Sequence, residues 1–217
     1  MSALSRMLLC VVALVVFSVQ PAWADAPGKA LQNHIEKIFA LLDDPALKSV
    51  TLTTDRHRKL RLIVEDAVDF REAAARSLGA HWADRTPVER AHFVRLFTDL
   101  IDHGFLWRLS HDDEQIVVDS ETVSGKEAVV RARAVTPGKG NGTPIMFTMT
   151  QGTDARWRIA DVAFEGMSLI GMYRAQFSKV IRASSYEVLV ERLETKTRVE
   201  AAASARPRAE STSTNSP

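Results

Sequence analysis

Thiols are almost absent. The 217 residues include 1 cysteine, Cys10, set inside an apolar run near the N-terminus. With that run removed no thiol remains, which excludes disulfides, cysteine nucleophiles and thiolate metal sites together. It also fits an oxidising compartment. A lipoprotein cysteine would follow the apolar run and become the new N-terminus, and Cys10 does not. Excess charge is lacking too: 28 basic and 27 acidic side chains leave a formal net charge of +1. A nucleic-acid binder is usually far more basic. A near-neutral chain also feels no strong pull towards anionic lipid surfaces, so any handling of lipid must work through shape and apolar contact. After the apolar run there is no GxSxG, no P-loop and no HExxH.

Long apolar stretches are equally scarce. The single one, Met7–Val19, falls short of the ~20 residues needed to span a bilayer. Arg6 precedes it, Pro21 breaks it, and Ala22-Trp23-Ala24 has the small-x-small form of a signal peptidase site. Residues 1–24 are therefore read as a cleaved secretory signal, with a retained anchor as the alternative. Residues 25–200 form the domain. From about Ala201 the chain is Ala, Ser, Thr, Pro and Arg without apolar periodicity, and residues 201–217 are expected to be a disordered tail.

What is present is first a set of helical stripes. Leu31, Ile35, Ile38, Phe39 and Leu42 repeat at helical spacing until Asp43-Asp44-Pro45 breaks it, and Leu60, Ile63, Val64 and Ala67 follow. Asp69-Phe70-Arg71-Glu72 has cap-to-N3 spacing and should start a helix through Leu78, stopped by Gly79. Thr86-Pro87-Val88-Glu89 is the clearest helix start, followed by Phe93, Phe97, Leu100 and Ile101 on one face. The period then changes. Gln115–Ser120, Glu127–Val135, Pro144–Thr150 and Arg156–Val162 read as four strands with short turns, which favours an antiparallel meander. In Glu127–Val135 the alternation sets Ala128, Val130, Ala132 and Ala134 on one face and Arg131 and Arg133 on the other, towards water. Helix returns near Ser168, with stripes Ile170–Ile181 and Tyr186–Leu193. The expected fold is α+β: a four-stranded antiparallel sheet with helices packed on one face around an apolar pocket.

Few residues point to chemistry. His92, Asp99 and His103 share one side of the aromatic helix, but seven residues span about 10 Å and no third ligand is apparent, so a solvated polar face is the better reading. His111-Asp112-Asp113-Glu114 reads as an acidic loop. Asp161 and Glu165 flank the last strand. Either can serve as a general base in a cone-shaped domain, or as a turn or capping residue at the strand-to-helix junction. Met146, Phe147, Met149, Met167 and Met172 cluster in the last strands and the next helix, and methionine suits changeable apolar shapes as well as ordinary core.

Two longer stretches go further. Ala80–Phe97 (AHWADRTPVERAHFVRLF) and Trp157–Phe177 (WRIADVAFEGMSLIGMYRAQF) resemble the MlaC, or toluene-tolerance, family, whose members show a "W…(T/S)P.(Q/E)R..F...F" helix and a "W.(V/I).DV..EG.SL...YR.QF" segment. Asp161, Glu165, Gly166, Ser168, Leu169, Tyr173, Arg174, Gln176 and Phe177 match the second pattern. Arg58–Phe70 resembles the family's "R…LR.I(V)…DF" helix. The resemblance runs from about Ala30 to Lys196. It departs at Val68, where an aromatic residue is common, and at Gly104-Phe105, where many members have an Arg/Thr-Tyr pair.

The resemblance implies a periplasmic phospholipid carrier. Such a carrier moves lipid between an outer-membrane lipoprotein complex and an inner-membrane ABC transporter with an MCE-domain subunit, and so maintains outer-membrane lipid asymmetry. It implies no catalysis, no cofactor and no metal, with lipid as cargo, and a monomer is expected. The residues expected to line the pocket are Val130, Ala132, Phe147, Met149, Ile159, Ile170, Tyr173 and Phe177, with Phe93, Phe97 and Leu100 closing the helical wall. Plain core packing is the alternative for each. A hopanoid-type carrier of the same family, a small enzyme using Asp161 or Glu165, and a structural adaptor with a filled core are the competing functions.

Overall fold

The computed structural model describes residues 26–45, 53–106, 115–136 and 138–204. The expected signal sequence, Cys10, the acidic stretch His111–Glu114 and the chain beyond 204 lie outside the described residues.

Helix α1 (Pro27–Asp43) opens with proline in its first turn, where a missing N–H costs nothing. The next amide, of Gly28, donates to Oε2 of Glu121 at 2.5 Å, which sets a carboxylate against the positive end of the helix. A Cβ at position 28 would lie 2.6 Å from that oxygen, so a larger residue would displace the carboxylate from the amide. Asp44 leaves the helical region and ends α1, as Asp43-Asp44-Pro45 predicts. Helix α2 (Thr53–Ala67) runs to an elbow at Val68-Asp69. Asp69 then caps α3 (Phe70–Leu78) by accepting the Glu72 amide at 2.9 Å. Gly79 closes α3 with φ 57°, a left-handed value that favours glycine.

Helix α4 (Pro87–Ile101) begins with the expected reciprocal cap. The Thr86 hydroxyl accepts the Glu89 amide at 3.2 Å, and Oε2 of Glu89 accepts the Thr86 amide at 2.7 Å. Its end widens into one π-helical turn, Asp102–Leu106.

Strands β1 (Gln115–Ser124), β2 (Glu127–Thr136), β3 (Lys139–Gln151) and β4 (Trp157–Phe164) form the expected antiparallel meander. The sheet has five strands rather than four, in the order β1-β2-β3-β4-β5, because Met167–Ser168 folds back on β4 as β5. Glu165 (φ 49°) and Gly166 (φ 82°) make the two-residue turn. A strand of two residues has no alternation to read, so the pattern of the sequence hides it. Helices α5 (Leu169–Ala183) and α6 (Tyr186–Ser204) follow. The last four residues of α6, three of them alanine, carry helix into the stretch expected to be unstructured.

Two cores result. One is entirely helical and joins α3, α4, α5 and α6 through Ala74, Leu78, Phe93, Phe97, Phe177 and Leu189. The other lies between α1 and the sheet, where Leu31 and Ile35 meet Val130, Ala132, Phe147 and Met149. Among the described residues no helix is long and apolar enough to cross a membrane.

Candidate ligand-binding cavity

Residues directly opposite across a ladder share a face of the sheet. Val130 faces Phe147 and Ala132 faces Ile145, and these in turn face Val162 and Phe164 on β4. That face carries alanines at 128, 132 and 134, all buried. Their short side chains leave depth between the sheet and the helices above it. The opposite face presents Arg131 to solvent and ties Arg133 to Asp119 at 2.8 Å.

α1 crosses the apolar face, and the α2–α3 elbow is fastened to the far edge of it. The Asp69 amide donates to the Ile159 carbonyl at 2.8 Å, beside a parallel bridge between Val68 and Ile159. Between these layers lies a cavity of about 190 Å³. Ile35, Ile38 and Phe39 of α1 wall one side, with Val64 and Ala67 of α2 and the elbow residue Val68 beside them. Ile116, Ala134, Ile145 and Phe147 form the sheet side, and Phe97 and Ile101 the α4 side. Only His34 and Asp161 bring polar side chains to the wall formed by the described residues.

Asp161 has both oxygens engaged. Oδ2 accepts the Ser168 hydroxyl at 2.5 Å and Oδ1 accepts the Ile170 amide at 3.1 Å, while the Ser168 oxygen accepts the Gly171 amide at 2.7 Å. The carboxylate thus caps α5. Glu165 is exposed in the β4–β5 turn, where its amide donates to the Pro144 carbonyl at 3.1 Å. Of the two readings open for this pair, the geometry gives the turn and the cap.

The histidines also separate. His92 meets Glu194 at 3.3 Å, and His103 Nδ1 donates to the Asp99 carbonyl at 2.8 Å. Asp99 itself pairs with Arg61 at 2.8 Å. No group of three or more His, Cys, Asp or Glu side chains suited to a metal ion occurs among the described residues. A partly buried ionic knot nevertheless joins α2 to the end of α4: Asp102 Oδ2 accepts Arg61 at 2.9 Å and His57 Nε2 at 3.2 Å. Burial alone would push the Asp102 carboxyl up, but His57 and Arg61 outweigh it and hold it below the usual range. The bond to Asp102 raises the His57 imidazole above its ordinary value.

Of the residues expected to line a pocket, Phe97, Phe147, Ile159 and Ile170 reach the cavity. Val130, Ala132 and Met149 share the apolar sheet face but lie deep in the packed core. Phe93, Leu100, Tyr173 and Phe177 belong to the helical core instead. There the aromatic rings stitch α4 to α5: Phe93 meets Phe177 edge-on at 5.8 Å, Phe97 meets Tyr173 at 5.7 Å, and Tyr173 stacks on Phe177 at 5.5 Å. The methionine cluster does not form a greasy wall. Met146, Met167 and Met172 are exposed, and only Met149 of the four is buried.

The sequence reading missed the contribution of α1 and α2. Their stripes were legible as helix, but a stripe that packs and a stripe that lines look alike in sequence. Val68 lines the cavity from the elbow, beside its bridge partner Ile159.

The MlaC protein family model matches residues 32–195. A solved structure, the phospholipid-binding protein from Ralstonia solanacearum in complex with a phospholipid, has the same fold: TM-score 0.68 at 18% identity, covering 82% of this chain and 99% of that one. No curated protein matches the sequence.

Proposed function

The chain belongs to the MlaC family, and from that premise we propose that it is a periplasmic phospholipid carrier. It takes lipid between an outer-membrane lipoprotein complex and an inner-membrane ABC transporter with an MCE-domain subunit, and it holds the acyl chains in the cavity between α1, α2 and the sheet. The observation that carries this reading is the near-complete apolar lining of that cavity.

Burying one CH₂ is worth about 0.8 kcal/mol, so a single 16-carbon chain brings ~12 kcal/mol before costs. Lipid does not leave a bilayer at a useful rate unless an equivalent apolar contact receives it. The present cavity, about 190 Å³, is smaller than the roughly 300–1,000 Å³ of common ligand pockets. Loading therefore requires the walls of the cavity to move apart. Asp161, held by Ser168 and Ile170, supports a scaffold rather than a catalytic role. The relative from Ralstonia solanacearum, whose structure holds a phospholipid, supports the cargo class. The small-x-small segment Ala22-Trp23-Ala24 after the apolar stretch supports export.

The test is transfer of a fluorescent phospholipid between two vesicle populations. Added protein should speed transfer in proportion to its concentration. A rate equal to that of vesicles alone contradicts the proposal.

A further inference from the structure

His34 lies in the buried stripe of α1 with Leu31 and Ile35, and its side chain is 9% exposed. It is one of the two polar side chains on the wall formed by the described residues, and the other, Asp161, has both oxygens committed to the α5 cap. His34 Nδ1 is buried and makes no hydrogen bond among the described residues. Its nearest acid, Asp66, stands with Oδ2 at 3.9 Å, beyond hydrogen-bond length, while Oδ1 of Asp66 is taken by Arg156 at 2.5 Å. A leucine would fill this position in the stripe without the cost of burying an unsatisfied ring nitrogen. A polar group kept at such a position points to a partner that arrives with the ligand.

We propose that His34 is the polar anchor of the cavity: its imidazole hydrogen-bonds an oxygen at the neck of the cargo, an ester carbonyl or a hydroxyl next to the acyl chains. It thereby selects oxygen-bearing lipids over plain hydrocarbon. The inference rests on the carrier reading and adds a specificity residue to it. The ring suits the role because burial holds its pKa below the ordinary histidine value, an effect that Asp66 opposes and Lys37, Arg156 and Arg158 reinforce. It is thus neutral at pH 7, with one donor and one acceptor to offer. A permanently charged side chain could not sit in this wall without a close counter-ion.

Delipidated protein is titrated with two probes, a pyrenyl-acyl phosphatidylcholine and a pyrenyl alkane without oxygen. In His34→Leu, affinity for the phospholipid probe should fall about three- to tenfold, the range of one hydrogen bond. Affinity for the alkane should be unchanged or higher. His34→Gln, which keeps a donor and an acceptor, should recover much of the loss. Equal losses for both probes, or no loss for the phospholipid, overturn the proposal, and thermal unfolding of each variant checks that it is folded. If the wild-type protein takes up neither probe, the carrier reading itself fails and the anchor falls with it.

Discussion

The Ser168 hydroxyl donates to Oδ2 of Asp161 at 2.5 Å while its own oxygen accepts the Gly171 amide at 2.7 Å. One serine thus joins the last long strand to the first turn of α5. Asp161→Ala removes the acceptor of both the hydroxyl and the Ile170 amide. It should cost about 1–3 kcal/mol, seen as a lower urea midpoint at unchanged slope. Asp161→Asn keeps one acceptor oxygen and should cost less. If both variants were as stable as the wild type, the cap would contribute nothing, and the carboxylate would again need a different explanation.

His57 and Asp102 predict a pH dependence. The folded-state pKa of His57 lies above its unfolded value of 6.5. Its contribution to stability is therefore complete below about pH 6.5 and is lost as pH rises through the raised value. His57→Gln should destabilise by about 1 kcal/mol at roughly pH 5.5 and by less at about pH 8.5. Parallel thermal melts at the two pH values check this. A gap between wild type and variant that widens towards alkaline pH would reverse the sign and contradict the assignment.

Cavity wall and helical core should answer differently to substitution. Ala134 is buried and lines the cavity, so Ala134→Phe should occupy the space, lower the lipid carried per folded protein several-fold and cost only about 1–3 kcal/mol. Phe177 packs between Phe93 and Tyr173 away from the cavity, so Phe177→Ala should cost about 3–5 kcal/mol while the folded fraction carries lipid as before. Quantifying lipid phosphorus against folded protein separates the two. The reverse pattern would move the site into the helical core.

Gly28 and Glu121 should be coupled. Glu121→Ala removes the carboxylate at the start of α1 and should cost about 1 kcal/mol. Gly28→Ala places a Cβ against that carboxylate, and once Glu121 is gone the obstruction disappears. The alanine should therefore be less harmful in the Glu121→Ala background than in the wild type, as a double-mutant cycle measures. Additive effects would mean that the two residues do not meet as the structure places them.

How far the sequence reaches can be judged from particular residues. Thr86 and Glu89 announce a helix start through local chemistry, and the reciprocal cap is present. Ala128, Val130 and Ala132 announce their shared face because strand alternation is local too. The fifth strand escaped, since two residues after Glu165-Gly166 have no period. The cavity escaped in a different way. Whether Ile38 packs or lines depends on what stands opposite, and that is set by the long-range fastening of Asp69 to Ile159. The methionines misled because Met146 sits on the outer sheet face, paired with Arg131, and flexibility in sequence says nothing about facing. His34 was hidden among six histidines until α1 was laid on the sheet.

Mass spectrometry of lipids extracted from the natively purified protein tests the central claim most directly. The account predicts about one diacyl phospholipid per folded molecule, lost from Ala134→Phe. A hopanoid in its place would keep the carrier and change the cargo. A well-folded protein that yields no lipid, and takes none from vesicles, would contradict the account.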